Sequence, residues 1–211
     1  MLDRGKTGSR SAQRLGLGAG VGFLILSIAV RLGLLDAWDT TTRYWFRPHD
    51  EWGSLQLRAD YVVEGLRPVR IVPLLAIVVL IVCVLRRSLR PAVLAGITMF
   101  LLAVLTTVTK IAVGRPDPHD VVHSHGGSYP SGHTATVIVC SGLLVLLLWP
   151  RPNAWLWLLP AFAGTLMGAS LLVQAAHWTT DVIGGALLGV VVLAAVVGLD
   201  SSVSRRFSRS P

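Results

Sequence analysis

A chain of 211 residues with 53% hydrophobic and 14% charged side chains, and a mean hydropathy of +0.64, is too apolar for an ordinary soluble domain, where the shares are about 45–50% and 25%. The formal net charge of +8 comes from 17 Arg and 2 Lys against 11 acids. These bases lie mainly in short stretches between apolar runs, which is the pattern of cytoplasmic loops and argues against a nucleic-acid partner.

Six apolar runs follow one another, at 15–35, 69–85, 92–113, 134–149, 154–173 and 182–199. A helix needs about 20 residues to cross the hydrocarbon of a bilayer. None of these runs alternates as a barrel strand would, so helices are expected. The run at 134–149 is short and has to borrow residues upstream. The first run follows a basic stretch, as a signal peptide does, but it is as long as an anchor. No small-x-small cleavage site follows it, so it reads as a retained helix. Cys83 and Cys140 both fall inside apolar runs and read as small buried hydrophobes, with no disulfide framework and no Cys-based metal spacing.

Basic residues give the orientation. Arg4, Lys6, Arg10 and Arg14 precede the first run; Arg86, Arg87 and Arg90 follow the second; Arg151 follows the fourth; Arg205, Arg206 and Arg209 follow the sixth. Six crossings put all four groups on one side, the cytoplasm, together with both termini. The expected fold class is therefore all-α, a single polytopic membrane domain over 1–211 with six transmembrane helices. The abundance of Arg over Lys, with Ala, Val, Leu and Gly, fits a GC-rich bacterial genome, and so an inner (plasma) membrane. The loop 36–68 mixes acids, bases and aromatics (Trp38, Tyr44, Trp45, Trp52, Tyr61). It is compatible with interfacial amphipathic helices and equally with a plain connecting loop bearing an aromatic belt.

The outward side collects the chemistry. His119, His123, His125, His133 and His177 fall in or beside the second and third outer loops, Lys110 lies near the outer end of the third run, and Asp181 opens the sixth. Ionisable groups at membrane depth are costly and mark function. In Pro130-Ser131-Gly132-His133-Thr134, Ser131 is a candidate N-cap and Gly132 permits close approach of a ligand. The first-turn amides make an anion site beside His133. The bland alternative is a capped helix start with an incidental His. In His177-Trp178-Thr179-Thr180-Asp181, the i, i+4 pair shares a helical face, and the carboxylate can set the imidazole tautomer. The same spacing is half of a metal site, but no clear third ligand accompanies it, so no metal is assigned. Lys110 and Arg115 place cations where the third run leaves the membrane. They suit phosphate clamping, although snorkelling of a lone Lys explains Lys110 as simply.

Taken together, these residues resemble the type-2 phosphatidic acid phosphatase superfamily, whose three motifs are Lys-x6-Arg-Pro, Pro-Ser-Gly-His and Ser-Arg-x5-His-x3-Asp. Pro130–His133 matches the second in full, Ser170, His177 and Asp181 match the third, and Lys110 opens the first. The resemblance extends over roughly residues 15–200. It implies a metal-independent enzyme without cofactor, acting on a membrane lipid phosphate or a polyprenyl phosphate or diphosphate. His177 would be the nucleophile that forms a phosphohistidine, Asp181 its orienter and His133 the general acid. Lys110, Ser131 and Gly132 would hold the phosphate.

Two positions depart from the pattern: the motif arginines fall on Asp117 and Leu171. A charged hydrogen bond contributes about 1.5–3 kcal/mol, so two losses amount to roughly two to four decades of rate. Arg115 is the expected compensation, with Gln174, His123 and His125 as further donors. The departures keep two other readings open: a catalytically degenerate protein that binds a lipid phosphate, and a phosphotransferase using the same histidine. A transporter would need polar residues within several spans near the midplane, and these spans offer few.

Overall fold

The computed structural model describes residues 4–119, 126–149 and 152–207; His123, His125, Arg151 and Arg209 lie outside the described residues. Among the described residues eight α-helices follow in order: α1 (Arg4–Arg31), α2 (Asp36–Phe46), α3 (Ser54–Gly65), α4 (Pro68–Arg86), α5 (Arg90–Val113), α6 (Gly132–Leu148), α7 (Leu158–Val173) and α8 (Thr179–Phe207). Five stretches of the described residues are long and apolar enough to cross a membrane: Ser11–Arg31, Ser54–Arg86, Arg90–Val113, Ala154–Val173 and Thr179–Gly198. The apolar α6 has 17 residues, at the lower limit for a span.

Helix α6 is the axis of the bundle. Residues Thr134 to Leu143 are all buried, because α4, α5, α7 and α8 each pack against it. A helix enclosed on every side has no polar face to keep, which is why α6 is apolar all round. Its core partners include Leu75 and Val79 of α4, Leu102 of α5 and Leu188 and Val192 of α8. At its C-terminal end the Arg86 guanidinium donates to the Leu147 carbonyl at 2.6 Å, placing a cation on the negative end of the helix dipole. The outer helices show the inverse pattern: Leu24 and Ile28 of α1, Leu80 and Val84 of α4, Phe100 and Val108 of α5 and Phe162 of α7 are exposed. In lipid such faces carry no penalty.

Helix α1 packs along α8. A Cβ on Gly16 would lie 2.6 Å from the Ala194 Cβ, so the missing side chain is what lets the two backbones approach, as small residues do between membrane helices. The first helix ends at Arg31, short of the expected Leu35. Gly33, in the left-handed region at φ +69°, turns the chain out of the helix. The 36–68 segment forms helices α2 and α3. Asp36 and Asp39 stand in the first turn of α2, where acids favour helix initiation. Helix α3 packs against α7, and α2 reaches the start of α8.

Candidate active site

Both histidines expected at the centre stand where helices begin. Ser131 caps α6: its hydroxyl accepts from the Thr134 amide at 3.4 Å and from the Thr134 hydroxyl at 3.1 Å. Its own amide donates to the Asp181 carbonyl at 2.9 Å, which ties the start of α6 to the start of α8. Ser131 is fully buried. The groups it leaves for an incoming anion are therefore the first-turn amides of Gly132 and His133, which have no partner within the helix.

His177 precedes α8 by two residues. Its Nδ1 lies 3.1 Å from Asp181 Oδ2, which also accepts from the Trp178 amide at 3.1 Å. Asp181 is fully buried. With Nδ1 engaged, Nε2 is the ring nitrogen left to react. The His133 and His177 rings face each other nearly edge-on, 6.3 Å between centroids and 66° between planes. That separation leaves room for a small group between the two imidazoles. The turn before His177 passes through Ala175 at φ +52°, a strained conformation for a residue with a Cβ.

Lys110 lies beside this pair, with Asp181 and His133 among its electrostatic neighbours. Its ammonium donates to the carbonyls of Gly127 at 2.7 Å and Ser128 at 3.1 Å. Among the described residues, two of its three N–H donors thus find backbone acceptors.

Arg115 is placed differently from the expected clamp. Its Nη1 is 2.8 Å from Asp39 Oδ2, 2.6 Å from Thr180 Oγ1 and 3.6 Å from Asp181 Oδ1, and its Nη2 is 3.1 Å from Asp36 Oδ1. The guanidinium stacks 4.9 Å above the Trp178 ring. Arg115 therefore flanks Asp181 at the oxygen opposite the one His177 uses. Asp39, fully buried, accepts the Thr180 amide at 2.9 Å and the Thr180 hydroxyl at 2.5 Å. Asp36, Asp39, Trp178 and Thr180 escaped the sequence reading. The signal for the two acids was their i, i+3 spacing opposite an arginine, within a segment whose helices were in doubt.

Gln174 also turns elsewhere: its side-chain amide donates to Asp60 of α3 at 2.9 Å, and its carbonyl accepts Arg47 at 2.8 Å. The two departures from the motifs have local explanations. Leu171 is buried with Val63, Val137 and Met167 in an apolar cluster joining α3, α6 and α7. Asp117 is buried and accepts the His119 amide at 2.8 Å, as an Asx turn does. Among the described residues, no three His, Cys, Asp or Glu gather in a way that would hold a metal ion.

Tyr129 locks the site's loop to its surroundings. It is fully buried, stacks on Phe23 of α1 and shares a 3.0 Å hydrogen bond with Ser27. Burial raises its pKa to about 12.

Known proteins match this arrangement. The family model described as PAP2 superfamily matches residues 91–202. A lipid A 1-phosphatase of Porphyromonas gingivalis is 33% identical over 94 residues, 44% of this chain and 20% of that protein. An undecaprenyl-diphosphatase of Sulfolobus acidocaldarius is 42% identical over 62 residues, 29% of this chain and 28% of that protein. A phosphatidylglycerophosphatase B of Bacillus subtilis is 27% identical over 97 residues, 43% of this chain and 48% of that protein. The aligned stretches thus span less than half the length of each relative. The crystal structure of a transmembrane PAP2-type phosphatidylglycerolphosphate phosphatase from Bacillus subtilis superposes with a TM-score of 0.79 at 20% identity, covering 90% of this chain and 98% of that one. The fold is shared nearly end to end, and the family match covers just over half of the 211 residues: the chain belongs to the PAP2 superfamily.

Proposed function

We propose that the chain is an integral membrane phosphatase that hydrolyses a lipid phosphate, or a polyprenyl phosphate or diphosphate, through a phosphohistidine on His177. The observation that carries this reading is His177 Nδ1 held by buried Asp181 at 3.1 Å, with the His133 ring 6.3 Å away. Asp181 keeps the His177 proton on Nδ1, and Nε2 attacks phosphorus. As the N–P bond forms, the P–O bond to the lipid breaks, and protonated His133 gives its proton to the departing oxygen. Water then attacks phosphorus, His133 takes the water proton, the N–P bond breaks and inorganic phosphate leaves. The Gly132 and His133 amides and the third N–H of Lys110 would hold the phosphoryl oxygens. Arg115 is a positioning residue that steadies Asp181. No step requires a metal ion.

The relatives are named for lipid A, undecaprenyl diphosphate and phosphatidylglycerophosphate; a phosphate ester or anhydride on a lipid is their shared chemistry. In this reading one domain of six spans lies in a bacterial inner membrane, with α6 as the fourth span. Both termini are cytoplasmic and the site faces outward. Leu171 and Asp117, standing where the motif has arginines, favour a second reading: a protein that binds a lipid phosphate or passes the phosphoryl group to another acceptor.

The test is phosphate release by the purified protein from phosphatidic acid, phosphatidylglycerophosphate, and undecaprenyl phosphate and diphosphate. His177→Ala and a chelator run alongside. Release that vanishes in His177→Ala and survives the chelator is the expected result, with an acid-labile phosphoenzyme trapped in the wild type. Folded protein that releases nothing from any substrate refutes hydrolysis and leaves binding or transfer.

A further inference from the structure

Three of the cations around the site are largely engaged by the protein itself. Arg115 is surrounded by Asp36, Asp39 and Thr180. Arg47 donates to the carbonyls of Gln174, Asp50 and Glu51 and lies over the Trp52 ring. Lys110 spends two donors on Gly127 and Ser128. The side chains of Arg115 and Arg47 are correspondingly only 9% and 10% exposed. Arg67, in the join between α3 and α4, is more open. Its guanidinium is 47% exposed, and its ion-pair partner is Glu64, 35% exposed, at 2.6 Å. The other Glu64 oxygen faces Arg70 at 3.5 Å.

Packing links the segment that carries Arg67 to both histidines. Leu66, next to Arg67, packs on the Val63–Val137–Met167–Leu171 cluster, and so does Ala176, the residue before His177. Val137 is one helical turn below His133 on α6. Arg67 and Glu64 are both electrostatic neighbours of His133. One apolar patch thus joins the His177 turn, the His133 helix and the α3–α4 join, which bears Arg67 and Glu64.

We propose that Arg67 is a substrate-binding cation of this site, additional to Lys110, and that Glu64 is a resident carboxylate which an incoming phosphate displaces from it. The proposal rests on the reading of the site as one for a phosphate ester. A guanidinium half-open to solvent, paired among the described residues with one partly exposed carboxylate that it shares with Arg70, loses little on release, because ion pairs near solvent contribute little. A phosphate offers more acceptor oxygens in the bidentate geometry that Arg prefers. Glu64 in turn discriminates: a weakly charged headgroup does not compete with it, whereas a phosphate monoester or diphosphate does.

The test separates binding from turnover. Short-chain phosphatidic acid is titrated calorimetrically into the His177→Ala protein in detergent. On that background, Arg67→Ala is expected to weaken binding tenfold to a hundredfold, Arg67→Lys to weaken it less, and Glu64→Gln to tighten it severalfold. The exchange Glu64→Arg with Arg67→Glu keeps an ion pair but moves the cation back along α3. A purely structural pair predicts unchanged affinity for the exchange, and a substrate-binding Arg67 predicts loss. Kinetics on the otherwise wild-type protein should show KM rising in Arg67→Ala more than kcat falls. Unchanged affinity in Arg67→Ala overturns the proposal, as does absence of any binding to the His177→Ala protein. If the wild type releases no phosphate while binding depends on Arg67, the hydrolase reading falls and this one stands. Normal hydrolysis that ignores Arg67 gives the reverse.

Discussion

Asp39 is where α2 is fastened to the start of α8, and removing its carboxylate tests whether that junction supports the site. Its oxygens accept the Thr180 amide at 2.9 Å and the Thr180 hydroxyl at 2.5 Å. They also face Arg115 at 2.8 Å, and the residue is fully buried. Asp39→Ala leaves a first-turn amide of α8 unsatisfied and a nearly buried guanidinium short of a partner. Removing one member of a buried ion pair costs about 3–5 kcal/mol. Arg115 retains Asp36, whose side chain is 63% exposed, and Asp181 at 3.6 Å, so the low end, about 3 kcal/mol, is expected. Asp39→Asn keeps an acceptor for the Thr180 amide and loses only the charge, so about half that loss is expected. Asp36→Ala, at an exposed pair, should cost under ~1 kcal/mol. Cys83 and Cys140 are both buried free thiols, so thermal unfolding in detergent can be followed with a thiol-reactive fluorogenic dye. Activity should fall with stability in the order Asp39→Ala, Asp39→Asn, Asp36→Ala. Without Asp39, the Arg115 charge swings toward Asp181 and weakens its hold on His177. If Asp39→Ala unfolds at the wild-type temperature, the α2–α8 junction is not what holds Asp181 in place, and the reasoning is wrong.

Further expectations follow from single contacts. A Cβ at Gly185 would lie 2.5 Å from the Ser131 carbonyl oxygen and 3.2 Å from the Thr134 Cβ. Gly185→Ala should therefore wedge α8 from the start of α6, at about 1–3 kcal/mol, with roughly a hundredfold loss of turnover from misplacement; wild-type kinetics would contradict this. Ala175, held at φ +52°, should gain about 1 kcal/mol of stability as Ala175→Gly, read in the same unfolding assay. Tyr129 keeps its proton up to about pH 12 in the folded protein, against about 10 when unfolded. Its contribution to stability is therefore full below pH 10 and is lost as pH rises from about 10 to 12. Ultraviolet titration should show a late tyrosinate component that disappears in Tyr129→Phe.

The sequence by itself established the membrane class, the apolar runs of the bundle and the clustering of His133, His177 and Asp181 at one end. Those features are local: long apolar runs answer to the thickness of the bilayer, and an i, i+4 pair shares a face wherever a helix begins. The Ser131 cap was legible for the same reason. The sequence did not settle whether 36–68 was helical, because its apolar and polar residues suit an interfacial helix and an aromatic belt equally. Nor could it show that Arg115, sequence-adjacent to the candidate site, spends its charge on Asp36 and Asp39 from a segment some eighty residues earlier. It also left open that Gln174 turns to Asp60 and that Leu171 is buried against Val63. Each of these depends on which helices become neighbours. Side-chain charges act over a few ångströms in space, and the packing of α2 and α3 on α7 and α8 sets those distances.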